Sequence, residues 1–248
     1  MTFALLVLAG VAAGLTGSVA GLASLVSYPA VLATGLGPVS ANVTNTVALV
    51  CSSIGSVTGS RPELVGQGRR LRRLACAGAI GGIAGAALLL VTPADSFERI
   101  VPFLIAGASV AILVRRRLVH AAEHDPAAHD GTATTVGVGI VGIYGGYFGA
   151  GAGVMLLALL LWATTETLPR ANAAKNLVLG VANGIAAVAF VVLGDVRWSV
   201  VVPLGIGLLV GGRLGPVVVR RSDPAWLRSL IAVAGMGLAV KLGIDAYT

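Results

Sequence analysis

Apolar residues run along this chain in long unbroken blocks, and polar residues fall into short gaps between them. The blocks cover about residues 2–34, 39–59, 71–91, 100–114, 134–163, 171–193, 200–219 and 227–246. A helix rising ~1.5 Å per residue crosses ~30 Å of hydrocarbon in about 20 residues, so most of these blocks are of spanning length. The first and fifth are too long. About 32 residues of unbroken helix would reach roughly 48 Å. Each of these two blocks carries a glycine cluster near its middle, GLTGSVAG (14–21) and GIYGGYFGAGAG (142–153). Each is read as a helix, a glycine turn and a second short helix.

The same pattern occurs twice. ANVTNT (41–46) and ANAAKN (171–176) lie 130 positions apart, each behind its glycine cluster, and Gly81, Gly82 and Gly85 match Gly211, Gly212 and Gly215 at the same offset. The expected organisation is a first membrane repeat over 1–118, a cytoplasmic linker over 119–131 and a second membrane repeat over 132–248.

Composition makes lipid the solvent of this chain. Hydrophobic residues are 56%, charged residues 11%, glycines 35 of 248, and mean hydropathy is +0.94. So much apolar surface cannot face water. The net charge of +7 comes from arginines gathered at 69–73, 115–117 and 220–221, at the ends of apolar blocks, which reads as membrane topology and not as a nucleic-acid surface. No Lys or Arg precedes the first apolar block, so the basic flank of a cleaved signal peptide is missing. Cys51 and Cys76 lack CxxC spacing, and His120, His124 and His129 lie in the linker; no metal, disulfide or cofactor is expected.

Charge bias sets direction. With 61–73 and 115–131 cytoplasmic, 92–99 is outside; the arginines at 220–221 put 220–228 inside and 194–198 outside. The fifth block then starts and ends inside, and the first starts and ends outside, with both chain termini outside. The expected fold is an all-α polytopic membrane protein of two inverted repeats, each a glycine-tipped hairpin, re-entrant or short-spanning, plus three transmembrane helices. The alternative, a simple kink in each long helix, gives parallel repeats and leaves one basic loop outside.

Irregular backbone at membrane depth is tolerated only when it is buried in protein or lines a wet cavity. The tip glycines, Gly14, Gly17 and Gly21 with Gly142, Gly145, Gly149 and Gly153, therefore mark a candidate site, where helices starting near Leu22 and Val154 point positive dipole ends at one place and favour an anion. The competing reading is that the same glycines are small residues allowing close helix packing. Polar stripes continue on the next helices. Asn42, Thr46, Ser53 and Ser56 fall on one face, as do Asn172, Asn176 and Asn183, with Asn42 matching Asn172, Thr46 matching Asn176 and Ser53 matching Asn183. Lys175 takes the position of Asn45. A charge about 9 Å into the bilayer either contacts an anion or snorkels to the interface, and Arg213, nearer its end, reads as snorkelling. Glu166, Arg170 and Asp195 sit in short loops, with Glu166 and Arg170 in reach of each other.

Together these motifs resemble the sulfite exporter TauE/SafE family. The resemblance rests on the glycine cluster before a short apolar helix, the Ala-Asn motif in both halves and ANAAKNLVLGVANGIAAVAF (171–190), with GDVRW (194–198) and GLLVGGRLG (207–215) behind them. It covers nearly the whole chain, although the first half reads SVAGLAS where many members have a dense glycine run. The resemblance implies a multi-pass permease of the prokaryotic inner membrane that exports a small sulfur-containing anion such as sulfite or a sulfonate. It also implies pathway-lining roles for Gly17, Gly21, Asn42, Asn45, Gly149, Gly151, Gly153, Asn172, Lys175 and Asn176, to which the polar stripe adds Thr46. Partners are then a small anion and the lipid bilayer, with the oligomeric state open and a homodimer as one option. From another class, the alternative is a non-transporting membrane subunit or scaffold; no His/Asp/Glu or Ser/His constellation within the apolar blocks suggests an enzyme.

Overall fold

The computed structural model describes residues 2–122, 131–164, 166–221, 240 and 244, with backbone alone over 111–122. The expected eighth block, apart from residues 240 and 244, the loop at 222–228 and His124 and His129 of the linker lie outside the described residues, as do the side chains of His120 and the arginines at 115–117. All regular structure among the described residues is helical. In chain order the helices are α1 (Phe3–Ala20), α2 (Ala23–Leu32), α3 (Pro38–Gly59), α4 (Arg61–Leu64), α5 (Gly68–Val91), α6 (Ala94–Ala122), α7 (Thr132–Tyr147), α8 (Ala152–Ala163), α9 (Leu168–Leu193) and α10 (Trp198–Arg221). Four of these, α1, α5, α9 and α10, are long and apolar enough to cross a membrane, and α2 and α8 are shorter apolar helices. The chain is an all-α polytopic membrane protein.

Both over-long blocks break at their glycine clusters. Gly21 ends α1 with φ of 79°, and Gly151 precedes α8 with φ of 75°, a left-handed backbone that side-chain-bearing residues rarely adopt. The two lie at the repeat offset of 130. Helices α2 and α8 start at Ala23 and Ala152, within two residues of the expected Leu22 and Val154. Proline in the first turn, where no intrahelical N–H bond is lost, starts both α3 and α9. Helices α5 and α10 match at both ends at the offset of 130.

Glycine decides which helices touch. An added Cβ on Gly10 would lie 2.3 Å from the Leu204 carbonyl oxygen, and one on Gly14 would lie 2.5 Å from that of Leu208, so α1 meets α10 backbone to backbone. Contacts advance together along both helices, with Gly207 facing Val7 and Gly211 facing Val11, and the pair is therefore parallel. The same arrangement joins α7 to α5, where Gly81 faces Gly139 and Gly85 faces Ile143. Helix α3 also runs parallel to α10, through Gly55 at Leu209 and Gly59 at Arg213; α9 runs parallel to α5, through Gly78 at Val178 and Gly82 at Ala182. Small residues allow this closeness, and without a hydrophobic driving force in lipid such packing is what holds the helices together. Gly14 and Gly142 belong to these seams. Helices α3 and α9 meet at Ser53 and Gly180, where a Cβ would lie 2.9 Å from that of Ser53.

Candidate functional site

The two hairpins meet at their tips. An added Cβ on Gly153 would stand 2.4 Å from the Cα of Gly21, and one on Gly21 would stand 2.3 Å from the carbonyl carbon of Gly153. Beside this contact lies a small cavity of ≈ 50 Å³, as measured by the centres of water-sized spheres, that is partly open to solvent. The first hairpin contributes Gly17, Ser18, Gly21, Ala23 and Ser24, and the second contributes Gly149 and Gly153. Its remaining walls are Leu49, Ser52, Ser53 and Ser56 of α3, and Asn176, Leu179 and Asn183 of α9.

Half of the lining residues are serines and asparagines, and no carboxylate belongs to the lining. The Ser18 hydroxyl is buried without a partner against Gly215 of α10 and does not face the cavity. The first backbone N–H groups of α2, at Ala23 and Ser24, have no acceptor within their helix and carry its positive dipole end. Ser53 and Ser56 give their hydroxyl protons to the Leu49 and Ser53 carbonyls and Asn176 donates to the Ser18 carbonyl, which leaves the Ser24 and Ser52 hydroxyls, the Asn183 amide and the first N–H groups of α2 for a small ligand with acceptor oxygens. At the ~10–15 Å³ that one water needs on this measure, the space holds a few waters or one small ligand.

Behind the cavity wall, the C-terminal carbonyls of α1 are covered from the other half. Asn172 Nδ2 donates to the Ser18 carbonyl at 2.9 Å and Asn176 Nδ2 to the same oxygen at 3.4 Å. Lys175 is fully buried, and its Nζ donates to the carbonyls of Gly17 and Ser18, both at 3.1 Å. Across the interface Asn42 Nδ2 donates to the Tyr147 carbonyl at the end of α7, at 2.8 Å. Asn42 and Asn172, equivalent by the repeat, thus each cap the hairpin of the opposite half. A buried helix end needs such donors because its last carbonyls have no intrahelical partner and carry the negative dipole end. Lys175 neither snorkels nor lines the cavity. Its ammonium offsets the negative end of α1, which would otherwise oppose an anion in the cavity.

The residues singled out from sequence therefore divide. Gly17, Gly21, Gly149, Gly153 and Asn176 line the cavity, while Asn42, Asn172 and Lys175 hold the hairpin ends behind it. Gly151 packs against Ala108, where a Cβ would lie 2.8 Å from that methyl. Asn45 and Thr46 are buried on α3 outside the lining. The lining also includes Ser18, Ser24 and Ser52, which carry no signal of their own in the sequence, and Ser53, Ser56 and Asn183, which share the helical spacing of the polar stripes.

Ion pairs gather at one end of the bundle. Arg220 holds both carboxylate oxygens of Glu63, Nε at 2.6 Å and Nη2 at 2.9 Å, and reaches the Gly59 carbonyl as well. Those hydrogen bonds hold the Glu63 carboxyl below its ordinary pKa, against the opposing effect of its partial burial. Arg170 pairs with Glu166, and Arg70 Nη1 approaches Glu166 at 3.6 Å. Exposed Arg213 donates to the Thr58 hydroxyl at 3.1 Å. Among the described residues no group of His, Cys, Asp and Glu could hold a metal ion.

The profile of a family described as "Sulfite exporter TauE/SafE" matches residues 6–242. "Probable membrane transporter protein YfcA" of Escherichia coli (strain K12) is 25% identical over 236 residues, covering 95% of this chain and 87% of its own length. "Probable membrane transporter protein ORF9" of Sinorhizobium sp is 26% identical over 244 residues, covering 98% of this chain and 92% of its own. A "Probable membrane transporter protein" of Haemophilus influenzae is 23% identical over 242 residues, with 98% and 94% covered. No solved structure gives a significant match.

Proposed function

We propose, from the premise that this chain belongs to the sulfite exporter TauE/SafE family and is a multi-pass membrane transporter of the prokaryotic inner membrane, that its cargo is a small sulfur-containing oxyanion. Sulfite or a sulfonate is the substrate class, and the movement is outward, by alternating access of two inverted halves. One observation carries the reading: the cavity at the touching tips is lined by serine hydroxyls, asparagine amides and the N-terminal end of α2, with no carboxylate. An anion is bound there by hydrogen bonds from neutral donors, while Lys175 cancels the negative end of α1 behind them. Export follows from the membrane potential, which drives an anion out of a negative interior by ~2.3 kcal/mol per charge per 100 mV.

Inversion is supported by the direction of the seams. Helices α1, α3 and α10 run parallel to one another, and so do α5, α7 and α9, while the offset of 130 pairs α1 with α7, α3 with α9 and α5 with α10. Sequence-equivalent helices fall into opposite sets. With 1–118 and 132–248 as the repeats, the cavity lies where both hairpins and both polar helices converge, the place a rocking motion would open first to one side and then to the other.

The test is flux of ³⁵S-sulfite and of a labelled sulfonate from proteoliposomes, with an imposed potential. Saturable, potential-dependent efflux that falls at least tenfold in Ser24→Ala combined with Ser52→Ala is expected. Flux equal to that of empty liposomes for every sulfur oxyanion tried would overturn the substrate reading.

A further inference from the structure

Lys175 and Asn45 are equivalent by the repeat offset but differ in charge. The carbonyls that hold the Lys175 ammonium, those of Gly17 and Ser18, match Tyr147 and Phe148 at the end of α7. Asn42 brings α3 to that end through its bond to the Tyr147 carbonyl. Asn45 follows one turn along the same side of α3, is fully buried, and has no partner for either its amide oxygen or its amide nitrogen. The side-chain oxygen of Asn42 is likewise buried and unpartnered. Among the described residues the Phe148 carbonyl accepts no hydrogen bond. Aromatic rings wall this end: Tyr28 packs edge-on to Phe148 with centroids 5.3 Å apart, and Phe97 lies 5.7 Å from Tyr147 and 6.0 Å from Phe148. Unpaired oxygens beside a negative helix end, in apolar surroundings, leave a desolvated negative potential that needs a counter-charge.

We propose that a monovalent cation of sodium's size binds at the end of α7, held by the side-chain oxygens of Asn45 and Asn42 and by the carbonyls of Tyr147 and Phe148. It takes the place that the Lys175 ammonium occupies in the other half. The four oxygens named are uncharged, which favours a singly charged ion, since divalent cations are bound with carboxylates and Glu98, the carboxylate felt at Tyr28, is not among them. One half carries its cation covalently and the other takes it from solution. Binding would couple the tip of the second hairpin to a cation gradient. The inference rests on the pairing of the halves and not on the identity of the transported anion.

The test is thermal unfolding of the purified full chain in detergent, with sodium chloride titrated against choline chloride at constant ionic strength. The unfolding midpoint rises with sodium concentration above the dissociation constant and stays flat in choline. Asn45→Ala shifts the half-saturating sodium concentration upward at least tenfold. Asn45→Lys supplies the ammonium, so that variant folds without sodium and loses the response. Equal midpoints in sodium and choline for the wild type would mean that water alone satisfies Asn45, and the proposal falls. It falls too if Asn45→Lys keeps the full sodium response; should that variant not fold, unchanged sodium affinity in Asn45→Ala overturns it. A sodium response without sulfite flux supports the cation site and counts against the anion reading alone.

Discussion

Replacing Gly21 by alanine puts the tip contact to a quantitative test, because a second glycine in the same hairpin supplies the control. Gly21 and Gly35 have nearly the same backbone, φ of 79° and 88°, so alanine at either carries the left-handed penalty of about 1–2 kcal/mol. Their surroundings differ. A Cβ at Gly35 meets nothing within 4 Å, whereas at Gly21 it would stand 2.3 Å from the carbonyl carbon and 2.5 Å from the Cα of Gly153. Those are backbone atoms of the opposite hairpin, so relief requires moving one tip, and overpacking of this kind costs about 1–3 kcal/mol. Gly21→Ala should therefore destabilise by about 2–5 kcal/mol and Gly35→Ala by about 1–2 kcal/mol. Reversible unfolding in mixed micelles, monitored by tryptophan fluorescence, reads the difference, and flux in proteoliposomes should fall only in Gly21→Ala. Equal destabilisation of the two variants, within about 0.5 kcal/mol, would show that the hairpin tips do not touch as described.

Lys175→Gln should weaken anion affinity by about tenfold, equivalent to ~1.4 kcal/mol, because the negative end of α1 then faces the cavity uncompensated. Stability should suffer less than a lost buried ion pair would suggest, since Gly17 and Ser18 keep bonds from the Gly21 amide and from Asn172; equilibrium binding of labelled sulfite, beside a melting curve, separates the two effects. Glu63→Gln should lower stability at neutral pH by about 0.2–1 kcal/mol, as expected for a largely surface pair. The carboxyl's folded pKa is depressed by Arg220, so this contribution is complete above the ordinary glutamate pKa of ~4.3 and fades as pH falls through the lower folded value. Melting curves of wild type and variant should converge in acid, and a gap that persists there would remove the ion pair as its cause.

The sequence made the helix register legible because two signals coincide at one offset. Gly21 and Gly151 break blocks too long to be single helices, and α5 and α10 then match at both ends. Lys175 was recognisable as costly from its depth alone. Its partners were not, since the carbonyls of Gly17 and Ser18 lie 158 and 157 positions away and belong to the other half. Serine hid the rest. In a helix Ser18, Ser24 and Ser52 read as small fillers, and only the neighbours across each helix decide whether a hydroxyl meets lipid, backbone or a cavity. Asn183 and Ser53 carried the right spacing, yet a stripe cannot say which of its members reaches the opening. Short α4, four residues between two long helices, had no periodicity by which to be seen.

The glycine seams also dictate an order of events during synthesis. Helix α1 emerges early, but the surface that its Gly10 and Gly14 need belongs to α10, roughly 200 residues later. At ~5–20 residues per second the ribosome takes about 10–40 s to supply it. An apolar helix can wait in lipid for that time; the last carbonyls of α1 and the first amides of α2 cannot, because hydrocarbon offers them no partner. The first hairpin must therefore remain near the membrane surface, or beneath a chaperone, until α9 delivers Asn172 and Lys175. Deep insertion of the earliest segment is thus a late step of assembly, and a nascent chain arrested before α9 would leave that segment accessible to water-borne reagents.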